Sequence, residues 1–159
     1  MKPETNTTAQ TRSQAERYIE ECAEYSAPYE REKLIEWAKK REVAEKIVGD
    51  FERRAGKVSG THLLDLGFGS GMFAVAFARA GAELSGLEVN PVLLDIAREH
   101  LAEEGLAGDL RLYDGGSFPF PDDSFDYAYS TSVLEHVSDP HRLLREVALT
   151  LKPVGQLYL

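Results

Sequence analysis

The twelve residues His62-Leu63-Leu64-Asp65-Leu66-Gly67-Phe68-Gly69-Ser70-Gly71-Met72-Phe73 constrain this chain more than any others. The apolar run Leu63, Leu64, Leu66 suits a strand covered on both faces, as in a parallel sheet. Gly67, Gly69 and Gly71 open backbone angles closed to other residues. Lacking side chains, they also let a ligand lie against the main chain. Met72-Phe73-Ala74-Val75-Ala76-Phe77-Ala78-Arg79 continues as an apolar, alanine-rich helix that Gly81 ends. Strand, glycine turn and helix in that order predict an α/β fold with a ligand at the carboxyl end of the strand.

Two ligand classes compete for such a loop. A dinucleotide site has the spacing G-x-G-x-x-G and seats a pyrophosphate on the helix amino end. Counted from Gly67, its third glycine falls at position 72, which is Met72. The spacing here is instead D-x-G-x-G-x-G, beginning at Asp65. A carboxylate two residues before the first glycine repels a pyrophosphate and attracts a cation. A glycine turn that only packs a helix on a strand would carry the same residues, so the loop alone does not decide.

Asp65-Leu66-Gly67-Phe68-Gly69-Ser70-Gly71 resembles the first motif of the class I S-adenosylmethionine-dependent methyltransferases, in their type 11 methyltransferase-domain branch. The ligand of that family carries a sulfonium and an ammonium and no phosphate, which agrees with the acidic start. The resemblance implies a Rossmann-like three-layer α/β sandwich with a parallel sheet of order 3-2-1-4-5. It implies S-adenosyl-L-methionine as cofactor and in-line methyl transfer to a small-molecule acceptor. It covers residues 61–159 well and residues 1–60 loosely.

Upstream of the motif, residues 1–11 are polar and read as a disordered tail. Residues 12–60 read as an amino-terminal helical segment. A short helix runs from Arg12 to Ser26, Ala27-Pro28 breaks it, and a long helix follows from about Tyr29 to Ala55. Ala44, Ile47, Val48 and Phe51 form its buried stripe, with Leu34, Trp37 and Ala38 extending it upstream, and Gly56 ends it. By the resemblance, Tyr25 or Tyr29 would close over the cofactor as part of a lid. Read plainly, both are core or surface aromatics.

The composition bounds the partners. At 159 residues with 43% apolar content, one domain is expected. No run of eighteen apolar residues exists and Met1 to Arg12 is polar, so neither a membrane span nor a secretion signal is expected. Cys22 is the single cysteine and points to a reducing, cytoplasmic setting. The net charge of −9 arises wholly in residues 61–159, with 6 Lys+Arg against 15 Asp+Glu, whereas residues 1–60 hold 12 of each. An acidic ligand-binding half disfavours nucleic acid as a partner, although solubility alone would also account for the excess.

Downstream, Ala82 to Val89 reads as a second strand ending in an acid. Glu88 follows Asp65 by 23 residues, close to the separation at which such folds set a carboxylate on ribose hydroxyls. A carboxylate accepts both hydrogen bonds of a vicinal diol. The family more often has Asp there. Asn90-Pro91 opens a helix through Leu94, Ile96, Ala97 and Leu101 that Gly105 stops. Asp109 to Asp114 reads as a third strand running into Gly115-Gly116. By the resemblance, Asp114 accepts the adenine amino group and Gly115 leaves room for the ring; a turn acid before two glycines is the plain alternative. Phe68, Val89, Leu93, Ser130 and Thr131 complete the cofactor site that the resemblance implies, and no metal site is expected.

The loop Pro119-Phe120-Pro121-Asp122 resembles the family and leads to a fourth strand, Phe125 to Thr131. The segment Ser130 to Val137 at its end would border the transferred methyl. His136 stands where the family often has histidine, and is the candidate general base for a hydroxyl or amine acceptor. A histidine that packs or caps a helix is the alternative. His62 opens a strand, and His100 and His141 fall on expected helices. Ser138-Asp139-Pro140 caps the last helix, with Leu143, Leu144, Val147 and Leu151 along one face. Lys152-Pro153-Val154-Gly155 reads as a turn into a fifth strand, Gln156 to Leu159. Val154 replaces a glycine of the family's pattern, a change expected to strain the turn.

The family's sheet has seven strands, so a domain at 61–159 is expected to be incomplete, cut before strands six and seven. Leu157-Tyr158-Leu159 would then be an apolar edge open to a second copy or another chain. Three functions remain in play. One is a small-molecule methyltransferase. Another is a cofactor-binding but inactive module that acts through that edge. The third is a nicotinamide dehydrogenase, which Met72 and Asp65 fit poorly. In the first, a cation is seated among bare glycine amides and three strand-tip acids, Asp65, Glu88 and Asp114.

Overall fold

The computed structural model describes residues 41–159. The expected tail, the short helix, Cys22, the Tyr25 and Tyr29 lid and the upstream part of the long helix lie outside the described residues. The elements are α1 (Arg41–Ala55), β1 (His62–Leu66), α2 (Met72–Arg79), β2 (Glu83–Glu88), α3 (Pro91–Glu103) and β3 (Asp109–Leu112). They continue with β4 (Phe125–Ser130), a 3-10 turn (Leu134–His136), α4 (Pro140–Thr150) and β5 (Leu151–Tyr158). All strand pairs are parallel and the order is β3-β2-β1-β4-β5, as expected. No helix among the described residues is long and apolar enough to cross a membrane.

The alternation of side chains along each strand divides the core into two layers. Leu63, Leu84, Leu110 and Tyr129 face one side and meet Ala44, Val48 and Phe51 of α1, Ala74 and Phe77 of α2, and Leu94, Ala97 and Leu101 of α3. Leu64, Leu66, Leu87 and Ala128 face the other side and meet Leu143 and Val147 of α4, with Phe118 from the loop after β3. The stripe read on the long helix is thus the one that packs. Phe51 is its centre: its ring lies 5.3 Å from Phe77, 5.4 Å from Tyr127 and 4.5 Å from Tyr158. Tyr127 Oη–H also donates to the Ala55 carbonyl at 2.9 Å, which closes α1 onto β4.

The strands end earlier than the sequence suggested, and this matters for the site. β2 stops at Glu88, β3 at Leu112 and β4 at Ser130. Val89, Asp114 and Thr131 therefore sit in the loops over the carboxyl edge of the sheet. The expected turn at Lys152–Gly155 is instead a bulge inside β5. Leu151 pairs with Phe125 and Gln156 with Tyr127, so four residues loop out opposite Asp126. Asp126 fastens this irregularity. Its Oδ1 accepts from Lys152 Nζ at 2.8 Å and its Oδ2 from the His62 amide at 2.9 Å. Val154 is 88% exposed and is not in the left-handed region, so the expected strain is absent.

Candidate cofactor site

The glycine loop links β1 to α2 and folds back on itself. Gly67, Gly69 and Gly71 have φ of 73°, 55° and 85°, the left-handed region that glycine enters without penalty. Two of them also lack room for a side chain. A Cβ on Gly67 would lie 2.3 Å from Val133 Cγ2, and one on Gly71 would lie 2.7 Å from Ala97 Cβ. At Gly69 a Cβ would meet nothing within 4 Å, so the loop opens to space there. The three amides are not bare. Gly67 N–H donates to the Leu87 carbonyl, Gly69 N–H to Glu88 Oε2, and Gly71 N–H to the Phe68 carbonyl. A pyrophosphate site needs such groups turned towards the ligand; here they are used within the protein.

The acids stand at neighbouring strand tips. Asp65 lies beside Gly86 and Tyr129 in the sheet register, is 2% exposed, and its Oδ2 has no hydrogen-bond partner among the described residues. Burial, and then the nearby Glu88 carboxylate, push its carboxyl from 3.8 up to about 8. Burial, and then Asp65, likewise push the Tyr129 phenol up to about 12. Glu88 is buried too, and its two oxygens are bonded. Oε2 holds the Gly69 amide at 2.9 Å, while Oε1 holds the amides of Val89 at 2.8 Å and Asn90 at 3.0 Å. Oε1 thus has both its lone pairs engaged, and Oε2 keeps one free to accept. Asp114 is exposed just past β3, where its Oδ1 accepts from the Gly116 amide at 2.8 Å. A buried carboxylate without a partner is costly. A cation beside it relieves that cost, whereas a phosphate would add to it.

Two adjoining clefts open over this edge. The first, of about 280 Å³, is lined by Gly67, Glu88 and Val89 on the loop side, and by Ser132, Val133 and His136 opposite. Leu66, Leu87 and Leu143 form its apolar floor. The second, of about 250 Å³, carries Gly115, Ser138, Asp139 and Arg142. Tyr113, His136, Val137 and Leu143 line both. A pocket with an apolar floor and a few polar groups is the usual form of a small-molecule site.

The expected site residues divide accordingly. Gly67, Glu88, Val89, Gly115 and His136 line the clefts. Phe68 is buried, its ring Cδ1 only 2.6 Å from where a Cβ on Gly86 would stand, and Ser130 Oγ–H donates to the Leu66 carbonyl. Both use their side chains in the fold. Asp65 and Gly71 are buried behind the loop, while Gly69, Leu93, Asp114 and Thr131 line neither cleft. A Cβ on Gly115 would meet nothing within 4 Å, so the approach there is open. The sequence reading did not single out Tyr113 or Arg142, and it held Val133 only as part of the segment Ser130 to Val137. Tyr113 carried a usable signal, since it adjoins Asp114. The contact of Val133 with Gly67 carried none, because it joins residues 66 positions apart.

Known proteins share this sequence pattern and fold. The family model described as methyltransferase domain matches residues 64–159, more than half of the chain. The chain therefore belongs to the methyltransferase-domain family, with the Rossmann-like fold of the class I S-adenosylmethionine-dependent enzymes. It is 35% identical over 104 residues to the ubiquinone biosynthesis O-methyltransferase of Xanthomonas euvesicatoria pv. vesicatoria (strain 85-10), covering 65% of this chain and 44% of that protein. Among solved structures, an S-adenosylmethionine-dependent methyltransferase from Mesorhizobium loti is 34% identical with a TM-score of 0.58, covering 64% of this chain and 46% of that one. The [4+2]-cyclase SpnF is also 34% identical, with a TM-score of 0.65 over 71% of this chain and 43% of that one. The chain thus spans less than half the length of these relatives.

Proposed function

We propose that this chain binds S-adenosyl-L-methionine at the glycine loop and supports transfer of its methyl group to a small molecule. One observation carries the reading: a buried carboxylate oxygen on Asp65 with no partner among the described residues, beside Glu88 and under a loop whose glycine amides are turned inward. That set suits a cation. Asp65 supplies negative potential from beneath, Glu88 offers the remaining lone pair on Oε2 to a ribose hydroxyl, and Asp114 and Gly115 meet the adenine. Gly69 leaves the ligand room to approach, while Gly67 and Gly71 let the loop pack closely against Val133 and Ala97. Val89, Leu93 and Thr131 flank it, while Phe68 and Ser130 hold the loop and strand end in place. When bound, the cofactor supplies a methyl group on a sulfonium, activated for in-line displacement. The protein's part is then alignment and the exclusion of water. His136, exposed on the wall between the clefts, takes the proton from a hydroxyl or amine acceptor.

The acceptor is a small metabolite and not a nucleic acid, since residues 61–159 are acidic and, among the described residues, only Arg142 brings a full positive charge to the clefts. A reducing cytoplasm suits the single cysteine. Among the described residues no strand covers the outer edge of β5, and a second copy pairing there is part of the reading. The likeness to a cyclase supports a second reading, in which the cofactor is bound without methyl transfer. Incubation with methyl-labelled cofactor and a panel of phenols, catechols and amines separates the two. Label in a product, lost in the Glu88→Ala variant, is expected for a transferase. Cofactor binding with no labelled product across the panel favours the second reading. Light scattering tests the dimer, and a monomer at all concentrations contradicts the β5 pairing.

A further inference from the structure

The glycine loop has no side chain on its three glycines with which to anchor itself, so its neighbours must hold it. One of them is α3. Its start is tied to the loop through Glu88, whose carboxylate takes the Gly69 amide on one oxygen and the Asn90 amide on the other. About 10 and 15 Å further along the helix, two residues one turn apart reach the loop again. Ala97 fills the space that a Gly71 side chain would occupy, and His100 Nδ1 lies 2.9 Å from the Ser70 carbonyl oxygen. A carbonyl only accepts, so Nδ1 carries the proton and donates. The same peptide unit is held at its other end, where Gly71 N–H donates to the Phe68 carbonyl at 2.9 Å. A planar peptide fixed at both its C=O and its N–H cannot rotate. The loop's open residue, Gly69, is one position away.

We propose that His100 is a positioning residue for the cofactor loop: it pins the Ser70–Gly71 peptide so that Gly69 and the start of α2 stay in the shape that receives the cofactor. This rests on the cofactor reading above. His100 lines neither cleft, so it acts through the loop alone. Losing the bond frees a peptide that joins Ser70 to the left-handed Gly71, with the left-handed Gly69 one residue before it. Glycine offers such a peptide many alternative conformations.

The imidazole Nδ1 branches from Cγ, as does the amide nitrogen of asparagine. Asparagine at position 100 can therefore donate from nearly the same place, whereas glutamine carries its amide one carbon further out. The test is calorimetric titration of S-adenosylhomocysteine into the wild-type chain and the His100→Ala, His100→Asn and His100→Gln variants, with melting temperatures of the ligand-free proteins alongside. The Ala and Gln variants are expected to bind roughly five- to tenfold more weakly, the worth of one hydrogen bond, with the melting temperature lowered by only a few degrees. The Asn variant is expected to bind within about twofold of wild type. In the wild-type protein, nitrogen-15 spectra of the imidazole are expected to show the proton on Nδ1. Equal affinity in all four proteins overturns the proposal, as does a proton found on Nε2 alone in the neutral ring. An Asn variant no better than Ala also overturns it, since the effect would then be packing. A wild-type chain that binds no S-adenosylhomocysteine, with the proton nevertheless on Nδ1, overturns the cofactor reading and with it the role assigned to His100.

Discussion

Asp65 is held in a setting where its charge is unwelcome until something positive arrives. Its carboxyl sits at about 8 rather than 3.8, through burial first and Glu88 second. The folded protein therefore binds this proton more tightly than the unfolded chain does. The contribution to stability is complete below about pH 4 and fades as pH rises towards 8. In melting experiments without ligand, Asp65→Asn, which cannot ionise, is expected to gain on wild type as pH is raised from 5 to 8. A constant difference over that range would contradict the burial argument. The glycines make a second contrast at this scale. Gly67→Ala places a methyl against Val133 at a left-handed position, and is expected to cost about 2 to 4 kcal/mol. Gly69→Arg meets open space and costs only about 1 kcal/mol of backbone strain. Its long cationic side chain is nevertheless expected to abolish cofactor binding. Chemical denaturation and calorimetry together separate the two effects.

Among the elements, α1 is part of the core and not an appendage. Phe51 joins α2, β4 and β5 through the rings of Phe77, Tyr127 and Tyr158, and is 4% exposed. Phe51→Ala is expected to cost about 3 to 5 kcal/mol, measured by urea unfolding. A loss under 1 kcal/mol would mean that α1 packs on a fold already complete without it. The bulge in β5 is secured more locally. Burial raises the Asp126 carboxyl, but its bonds from Lys152 and from the His62 amide outweigh burial and hold it below the usual range. Asp126→Ala is expected to cost about 1 to 2 kcal/mol, since the pair is only partly shielded from water. That loss should fall on β5 first, seen as faster amide exchange at Gln156 and Leu157 than in β1.

Seen whole, the molecule is a parallel sheet whose carboxyl edge gathers the groups that the chain keeps far apart. Much of this was legible in the sequence. The apolar run before Asp65, the glycine spacing and the Asn90-Pro91 helix start are local signals, and each gave its element; the sheet order came from the family resemblance that the glycine motif carries. The stripe at Ala44, Ile47, Val48 and Phe51 was equally local. What could not be read depends on contacts between distant residues. The inward turn of the glycine amides needs Leu87 and Glu88 in place. The bulge at Lys152–Gly155 needs Asp126. The grip of His100 on Ser70 joins two elements whose packing no periodicity encodes.

The central claim is that this edge is shaped for a cationic, phosphate-free ligand. Calorimetric titration of the chain with S-adenosylmethionine and, separately, with NADH tests it most directly, with Glu88→Ala as the control. One-to-one binding of S-adenosylmethionine, none of NADH, and a loss of about tenfold or more in the variant are expected. Binding of NADH without S-adenosylmethionine, or an affinity unchanged by removal of Glu88, would contradict the account.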